Sequence, residues 1–392
     1  MIVRALLFIS IAGLISSTIY LILVLQAAGR FRRSNQKAFP ESISLPPVTV
    51  LKPLHGLEPE LDTNLESFFL QEYPAFEIIF GARQTDDPAL EIVAALRRKY
   101  PHVQTCIVLS GEPAYPNAKV FALEKMIARG TASYLVITDS DVRVAPNCLR
   151  QVVAPLLDPN NGVVTCLYRG AAAGGFWSTL EALGMSVEMP SGVLVANMLE
   201  GMRFALGPMM ATRIDVLNSI GGMMALGQYC ADDYVLGNLA YSSGKRVVLA
   251  QHIIGHVAMN TSARASLAHQ VRWMRSARFS RRWGHVGTGL TYAMPFGLLG
   301  LLAAGASHSW RAGLALLGWA FVSRVIQAAV IGGTVIGDVS SLRLCWLYPL
   351  RDLMGFFVWC ASFTGREIVW RNERYRLITG GKMVRVLTSR TE

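Results

Sequence analysis

No charged residue occurs between Ala5 and Ala28. A helix over these positions is long enough to cross a hydrocarbon core of about 30 Å at about 1.5 Å per residue. Such a helix has no place on the surface of a water-soluble fold, so the sequence predicts a membrane anchor over residues 1–29. The run is too long for the roughly 7–15-residue apolar region of a secretory signal, and no small-residue cleavage site follows it. Arg30, Arg32, Arg33 and Lys37 come directly after the run. Positive charge on that side places the next domain in the cytosol.

The rest of the composition agrees. Hydrophobic residues make up 52% of the 392 and charged residues only 16%, where a soluble domain carries about 25% charged. The net charge of +11 flanks the apolar runs. It therefore suits an anionic membrane surface or anionic substrate, and nucleic acid is not an expected partner. The six cysteines have no zinc-site spacing and read as reduced, buried thiols.

Three more apolar runs follow Trp283: Thr288–Ala306, Ala312–Gly337 and Leu344–Phe363. Arg324, Arg351 and Asp352 lie inside them, and charges in such positions face protein or water. The tail carries Arg366, Arg371, Arg374, Arg376 and Lys382, so it too belongs inside, which requires an even number of crossings after Arg282. Pro349-Leu350-Arg351-Asp352 divides the last run, which is therefore expected to be re-entrant or interfacial. The expected organisation is an anchor over 1–29, a linker over 30–47, a catalytic domain over 48–285, a membrane region over 286–365 and a basic tail over 366–392.

Between the membrane parts, short β-branched runs alternate with helical patterns. Strands are predicted at Val48–Leu51, Phe76–Gly81, Thr105–Leu109, Tyr134–Thr138, Gly162–Leu167 and Arg246–Ala250. Helices are predicted near Glu58–Leu70, Pro88–Lys99, Ala118–Ala128 and Pro146–Leu157. This is the pattern of an α/β domain with a mostly parallel sheet, whose ligands bind beyond the carboxyl ends of the strands. No G-x-G-x-x-G follows the first strand, which disfavours a dinucleotide-binding dehydrogenase.

Four clusters carry possible chemistry. Asp139-Ser140-Asp141 ends an apolar strand, and its hard oxygens suit Mg²⁺ or Mn²⁺; the plain alternative is a polar turn. Asp232-Asp233 precedes an apolar helix, where one carboxylate serves the helix N-terminus and the other is free to act as a general base. Asp86-Asp87-Pro88 follows the second strand and also reads as a helix start. Arg272-Trp273 lies in a basic segment beside the membrane, where a guanidinium suits a diphosphate or an anionic lipid surface. Lys119, one residue into a helix capped by Asn117, is a candidate phosphate ligand. His252, His256 and His285 lack metal-ligand spacing and read as structural. The Met-rich stretch Phe176–Met202 is either part of a lipid path or a buried helix.

Taken in order, these clusters resemble the lipid-directed family-2 glycosyltransferases of GT-A fold, a Rossmann-like nucleotide-diphospho-sugar domain, here with transmembrane helices at both ends. More narrowly the chain resembles the ceramide glucosyltransferase group. The matching stretches are Leu51–Gly56, Asn64–Phe69, Asp86–Ala89, Asp139-Ser140, Gln228-Tyr229 with Asp233-Tyr234, and Arg272-Trp273. Within that group the chain is similar to the bacterial hopanoid-biosynthesis-associated glycosyltransferases. The resemblance implies an inverting enzyme that takes a UDP-sugar and a lipid hydroxyl, N-acetylglucosamine and a hopanoid polyol in one case, glucose and ceramide in the other. By the same resemblance Asp87 contacts the nucleotide, Asp139 the diphosphate and metal, Asp141 the metal, and Asp233 is the general base. Arg272 and Trp273 end a Gln/Arg-x-x-Arg-Trp motif whose first position is here His269. A processive polysaccharide synthase is the rival enzyme class, and would need more crossings; a scaffold with a degenerate transferase domain is the non-enzymatic rival.

Overall fold

The computed structural model describes residues 1–34, 44–370 and 373–386. Residues 35–43 of the expected linker therefore lie outside the described residues. The chain divides into two compact units that do not follow its linear order. Residues 37–168, 200–259 and 367–392 form an α/β unit, and residues 1–36, 169–199 and 260–366 form a helical unit. Residues 169–199 and 260–285, expected within the catalytic domain, thus belong to the helical unit, while the tail belongs to the α/β unit.

Eleven strands are described: β1 (Val48–Pro53), β2 (Phe76–Ala82), β3 (Gln104–Leu109), β4 (Tyr134–Thr138), β5 (Val142–Arg143), β6 (Asn161–Ala172), β7 (Met209–Arg213), β8 (Arg246–Ala258), β9 (Glu367–Trp370), β10 (Glu373–Leu377) and β11 (Met383–Arg385). All six predicted strands are present. The first eight make one sheet in the order β3-β2-β1-β4-β7-β6-β8-β5. Strands β3, β2, β1 and β4 are parallel, and the residues of β1, β2 and β4 are mostly apolar and almost all buried, as expected of strands covered on both faces. The expectation of a mostly parallel sheet fails in the other half. Strand β7, unforeseen because Met209–Arg213 has no distinctive alternation, pairs antiparallel with both β4 and β6. The order reverses between β1 and β4, and the crevice beyond their carboxyl ends is the place where such sheets bind ligands. The tail, expected only as a basic extension, folds as a separate antiparallel sheet of β9, β10 and β11.

Among the described residues, three helices are long and apolar enough to cross a membrane: Ile2–Ser34, Gly175–Glu200 and Trp310–Val335. The first and third match predicted spans. The run Thr288–Ala306 is helical as a span only over Met294–Ala306, 13 residues, about 20 Å and too short to cross alone. The helix Tyr348–Ser362, of 15 residues, is likewise short. Gly175–Glu200 covers the Met-rich stretch that the sequence left between lipid path and buried helix. Four charged side chains buried or half-buried within the helical unit, Glu188, Arg324, Arg351 and Asp352, are paired. Arg324, 1% exposed, donates to Asp352 Oδ1 at 3.3 Å and to the Thr291 carbonyl at 3.0 Å. Asp352 Oδ2 accepts the amides of Ala293 and Met294, satisfying donors at the start of Met294–Ala306 that have no intrahelical partner. Arg351 pairs with Glu188 at 2.7 Å. Leu14, Ala293, Met294 and Ala320 form an apolar core among three of these helices.

The α/β unit contains one close backbone approach with a consequence for the site. A Cβ on Gly237, in the helix Asp232–Ser242, would lie 2.4 Å from the Ala205 nitrogen and 2.5 Å from the Phe204 carbonyl carbon. Backbone cannot yield as a flexible side chain can. Gly237→Ala is therefore expected to destabilise the protein by about 1–3 kcal/mol, read as a lowered thermal unfolding midpoint in detergent; an unchanged midpoint would contradict this packing.

Candidate active site

The carboxyl end of β4 runs directly into Asp139-Ser140-Asp141. The strand is buried up to Thr138, so the chain meets solvent only where these polar residues begin. Lys119, at the second position of the helix Ala118–Ile127, reaches Asp139 Oδ1 at 2.5 Å. Asn117 holds the start of that helix: its Oδ1 accepts the Val120 amide at 3.0 Å, and its Nδ2 donates to the Tyr229 carbonyl at 2.8 Å and to Asp232 Oδ1 at 3.2 Å. One asparagine thus ties the Lys119 helix to the Asp232-Asp233 segment. Burial lowers the Lys119 ammonium, but Asp139, Asp232 and Asp233 outweigh it and hold the group above its ordinary value.

Asp233 is half-buried. Its Oδ2 accepts the Gly207 amide at 2.7 Å and its Oδ1 the Tyr234 amide at 2.8 Å. Burial, then the neighbouring Asp232 charge, push its carboxyl up to about 6. Asp232 is raised as well, mainly by burial. Two adjacent carboxylates in one low-dielectric place cannot both ionise easily, and Lys119 is the cation they share.

Asp141 faces a different partner. Its Oδ2 lies 3.0 Å from His256 Nε2, across the β5·β8 pair that sets Val142 opposite His256. Burial raises this carboxyl, and the imidazole more than offsets it, leaving Asp141 below its usual range. Its Oδ1 is buried and accepts no hydrogen bond among the described residues. His256, read from sequence as structural, therefore supports a candidate site residue.

Two further charged groups were missed. Lys52 is fully buried in β1, donates to the Asp139 carbonyl at 2.5 Å and lies 3.9 Å over the Phe68 ring. Burial pushes its ammonium down to about 7, against the pull of Asp141 and Asp139. The signal available was a lysine inside an otherwise apolar strand. Glu58 accepts from Ser140 Oγ at 2.6 Å, and burial followed by the Asp141 charge pushes it up to about 7. No local pattern marks it.

Asp87 fastens the same loop from its other side. Both its oxygens accept the Gly56 amide, each at 3.1 Å, and Oδ1 also accepts the Ala89 amide at 3.0 Å. Gly56 has φ +69°, a conformation that a side chain would strain. The segment after β1 is thus held by Asp87 at Gly56 and by Ser140 at Glu58.

Asp139, Asp141, Asp232, Asp233 and Lys119 form one electrostatic cluster in the α/β unit. Arg272 and Trp273 lie in the helical unit, on the helix Ala263–Ser280, which Ser262 caps. There His269 explains its departure from the motif. Its Nδ1 pairs with Glu181 Oε1 at 2.7 Å, and its ring lies 4.3 Å from that of Trp273. Glu181 also accepts from Ser266 Oγ at 2.6 Å and Asn260 Nδ2 at 3.0 Å. The histidine anchors its helix to the apolar helix Gly175–Glu200, and Gln270 donates to Ser266.

The site fits a divalent cation in its chemistry but supplies few ligands. Asp139 and Asp141 offer hard oxygens, including the unsatisfied Asp141 Oδ1. Among the described residues no group of three or more His, Cys, Asp or Glu is arranged to hold a metal ion, so an ion bound here would complete its shell from a ligand or water.

Three comparisons bear on this arrangement. The model of glycosyl transferase family 21 matches residues 7–383. Ceramide glucosyltransferase 1 of Caenorhabditis elegans is 24% identical over 372 residues, 94% of this chain and 79% of the relative. A ceramide glucosyltransferase of Komagataella phaffii is 38% identical over 127 residues, 31% of this chain and 25% of the relative. Among solved structures, the mannosyltransferase PcManGT of Pyrobaculum calidifontis, in complex with GDP-Man and Mn²⁺, superposes with a TM-score of 0.51 at 17% identity, over 91% of this chain and 99% of that one. That likeness establishes a GT-A glycosyltransferase fold.

Removing the shared cation tests the electrostatic account. Lys119→Met is expected to cost about 1–3 kcal/mol of stability at pH 7, because it leaves Asp139, Asp232 and Asp233 without it. The loss is expected to shrink towards pH 5, where protonation relieves the repulsion. Unfolding midpoints at the two pH values check this; a deficit that grows on acidification would contradict it.

Proposed function

The chain belongs to glycosyl transferase family 21, and from that premise we propose that it transfers N-acetylglucosamine from its UDP donor to a hydroxyl of a hopanoid polyol such as bacteriohopanetetrol, at the cytoplasmic face of a bacterial inner membrane. The observation that carries the reading is the gathering of Asp139, Asp141 and Asp233 about Lys119 at the β4 edge, in a chain with three apolar helices of membrane-crossing length. A water-soluble donor and a membrane-bound acceptor require both features in one molecule.

In this reading the diphosphate lies beside Lys119, and Asp87 lies towards the nucleotide. Mg²⁺ or Mn²⁺ held by Asp139 and Asp141 would supply Lewis-acid neutralisation of the diphosphate. The acceptor oxygen attacks the anomeric carbon as the bond to UDP breaks, with inversion. Asp233 takes the hydroxyl proton. Arg272, beside Trp273, offers a permanent positive charge to the departing diphosphate. The reaction is balanced: one C–O bond forms, one breaks, and the proton rests on Asp233.

A second reading, glucose transferred to ceramide, is favoured by the names of the relatives that match most of the chain. Purified protein offered UDP-N-acetylglucosamine or UDP-glucose with each lipid separates the two. A glycosylated hopanoid by mass spectrometry supports the first and a glycosylated ceramide the second, while a polymer or no lipid product would overturn both.

Two outcomes test the base. Asp233→Asn is expected to lower turnover by about 10²–10⁴-fold, with UDP binding little changed. Because its carboxyl is raised to about 6 and a base must be ionised, kcat is expected to fall as pH drops through about 6. A wild-type acid limb near pH 4 would remove Asp233 from the role.

A further inference from the structure

The tail sheet touches the acidic segment directly. Met383 donates its amide to the Gln228 carbonyl at 2.7 Å, and Cys230 donates to the Gly381 carbonyl at 3.2 Å. Tyr229 pairs with Lys382 as an antiparallel bridge. These contacts bind residues 381–383 to the three residues that lead into Asp232-Asp233, the same residues that Asn117 grips through the Tyr229 carbonyl. A basic tail that served only as a membrane contact has no need of this docking.

The tail sheet also lines a cleft. Its floor comes from the chain just beyond the parallel strands, with Leu54 after β1, Ala82 at the end of β2 and Gly111 after β3. The tail adds Trp370, Glu373 and Tyr375. Ala118 also lines the cleft, and the next residue is Lys119, which holds Asp139. The lining sets the aromatic side chains of Trp370 and Tyr375 among apolar residues, with His55, Arg83 and Glu373 as its charged or polar members; Glu373 accepts from Tyr375 and Arg385. Such a lining suits a heteroaromatic ring with polar edge groups, since rings stack on aromatic faces and ring N–H and carbonyl groups pair with polar side chains.

We infer that the C-terminal sheet is a wall of the donor's nucleobase pocket, with Trp370 the side chain against which the base packs. The inference rests on the nucleotide-sugar reading above and adds a base-binding residue to it. It gives the tail two linked tasks: one edge steadies the segment that carries Asp232-Asp233, and the cleft-lining residues receive the base.

The test uses the full-length protein in detergent and UDP itself as probe. Base–aromatic stacking lost on removal of the ring is expected to raise the Kd for UDP by about tenfold in Trp370→Leu, which keeps apolar bulk at the position. Trp370→Phe, which keeps a ring, is expected to stay within about threefold of wild type. Inorganic pyrophosphate, which has no base, is expected to bind all three proteins equally. In parallel, a photoreactive 5-substituted UDP is cross-linked to unmutated protein and the labelled peptide is mapped, which needs no variant to fold; label between residues 367 and 377 is expected. Wild-type protein that binds UDP while Trp370→Leu binds it equally, or label confined to other peptides, would overturn the inference and leave the donor reading intact. Wild-type protein that binds no UDP would overturn the donor reading and this inference with it.

Discussion

Crowding of negative charge at the end of one strand governs the α/β unit. Glu58, Asp139, Asp141, Asp232 and Asp233 interact across a small buried region, with Lys52, Lys119 and the His256 imidazole beside them. Buried carboxylates are tolerated only when paired or partly protonated. Burial raises Glu58, Asp232 and Asp233, and Asp141 beside His256 is held below its usual range; Asp139 is ion-paired to Lys119. Backbone amides do the rest, at Gly207 and Tyr234 for Asp233 and at Gly56 for Asp87. The cluster is thus fixed by hydrogen bonds from segments distant in the chain. Perturbed carboxylates fixed in this way are where catalytic groups are found.

The helical unit obeys the same constraint in an apolar setting. Arg324 with Asp352 and Arg351 with Glu188 are paired inside helices otherwise rich in apolar residues, and His269, on a basic helix, pairs with Glu181 of the apolar helix Gly175–Glu200. Unpaired, any of them would be costly in hydrocarbon. Paired, they fix which helices meet, since an ion pair tolerates little sliding. The His269–Glu181 pair fixes the rotation of the helix that carries Arg272 and Trp273. Under the proposed function this links the leaving-group arginine to an apolar helix of membrane-crossing length.

Legibility differed by the range of the interaction. The anchor could be read at once, because a charge-free run has one low-energy environment. The six predicted strands could be read too, because apolar β-branched runs ending in turn residues are local signals. So could Asp139-Ser140-Asp141 as a strand end and Asp232-Asp233 as a helix start. Glu58 and the role of His256 could not, since the partners of Asp141 and Ser140 lie 115 and 82 residues away. Gly175–Glu200 was ambiguous because a buried helix and a membrane-crossing helix share the same composition.

What the sequence alone determined is the set of elements and the chemistry at their ends: where the chain must leave water, where strands stop, and which carboxylates, lysines and arginines stand there. The tertiary structure alone decided their partners. It inserted β7 antiparallel between β4 and β6, turned the basic tail into a sheet against the acidic segment, and gave Asp141 to His256. Periodicity and propensity act over a few residues, whereas pairing is decided by which distant surfaces bury best together. That information lies in the sum of contacts across the fold and in no single stretch of the chain.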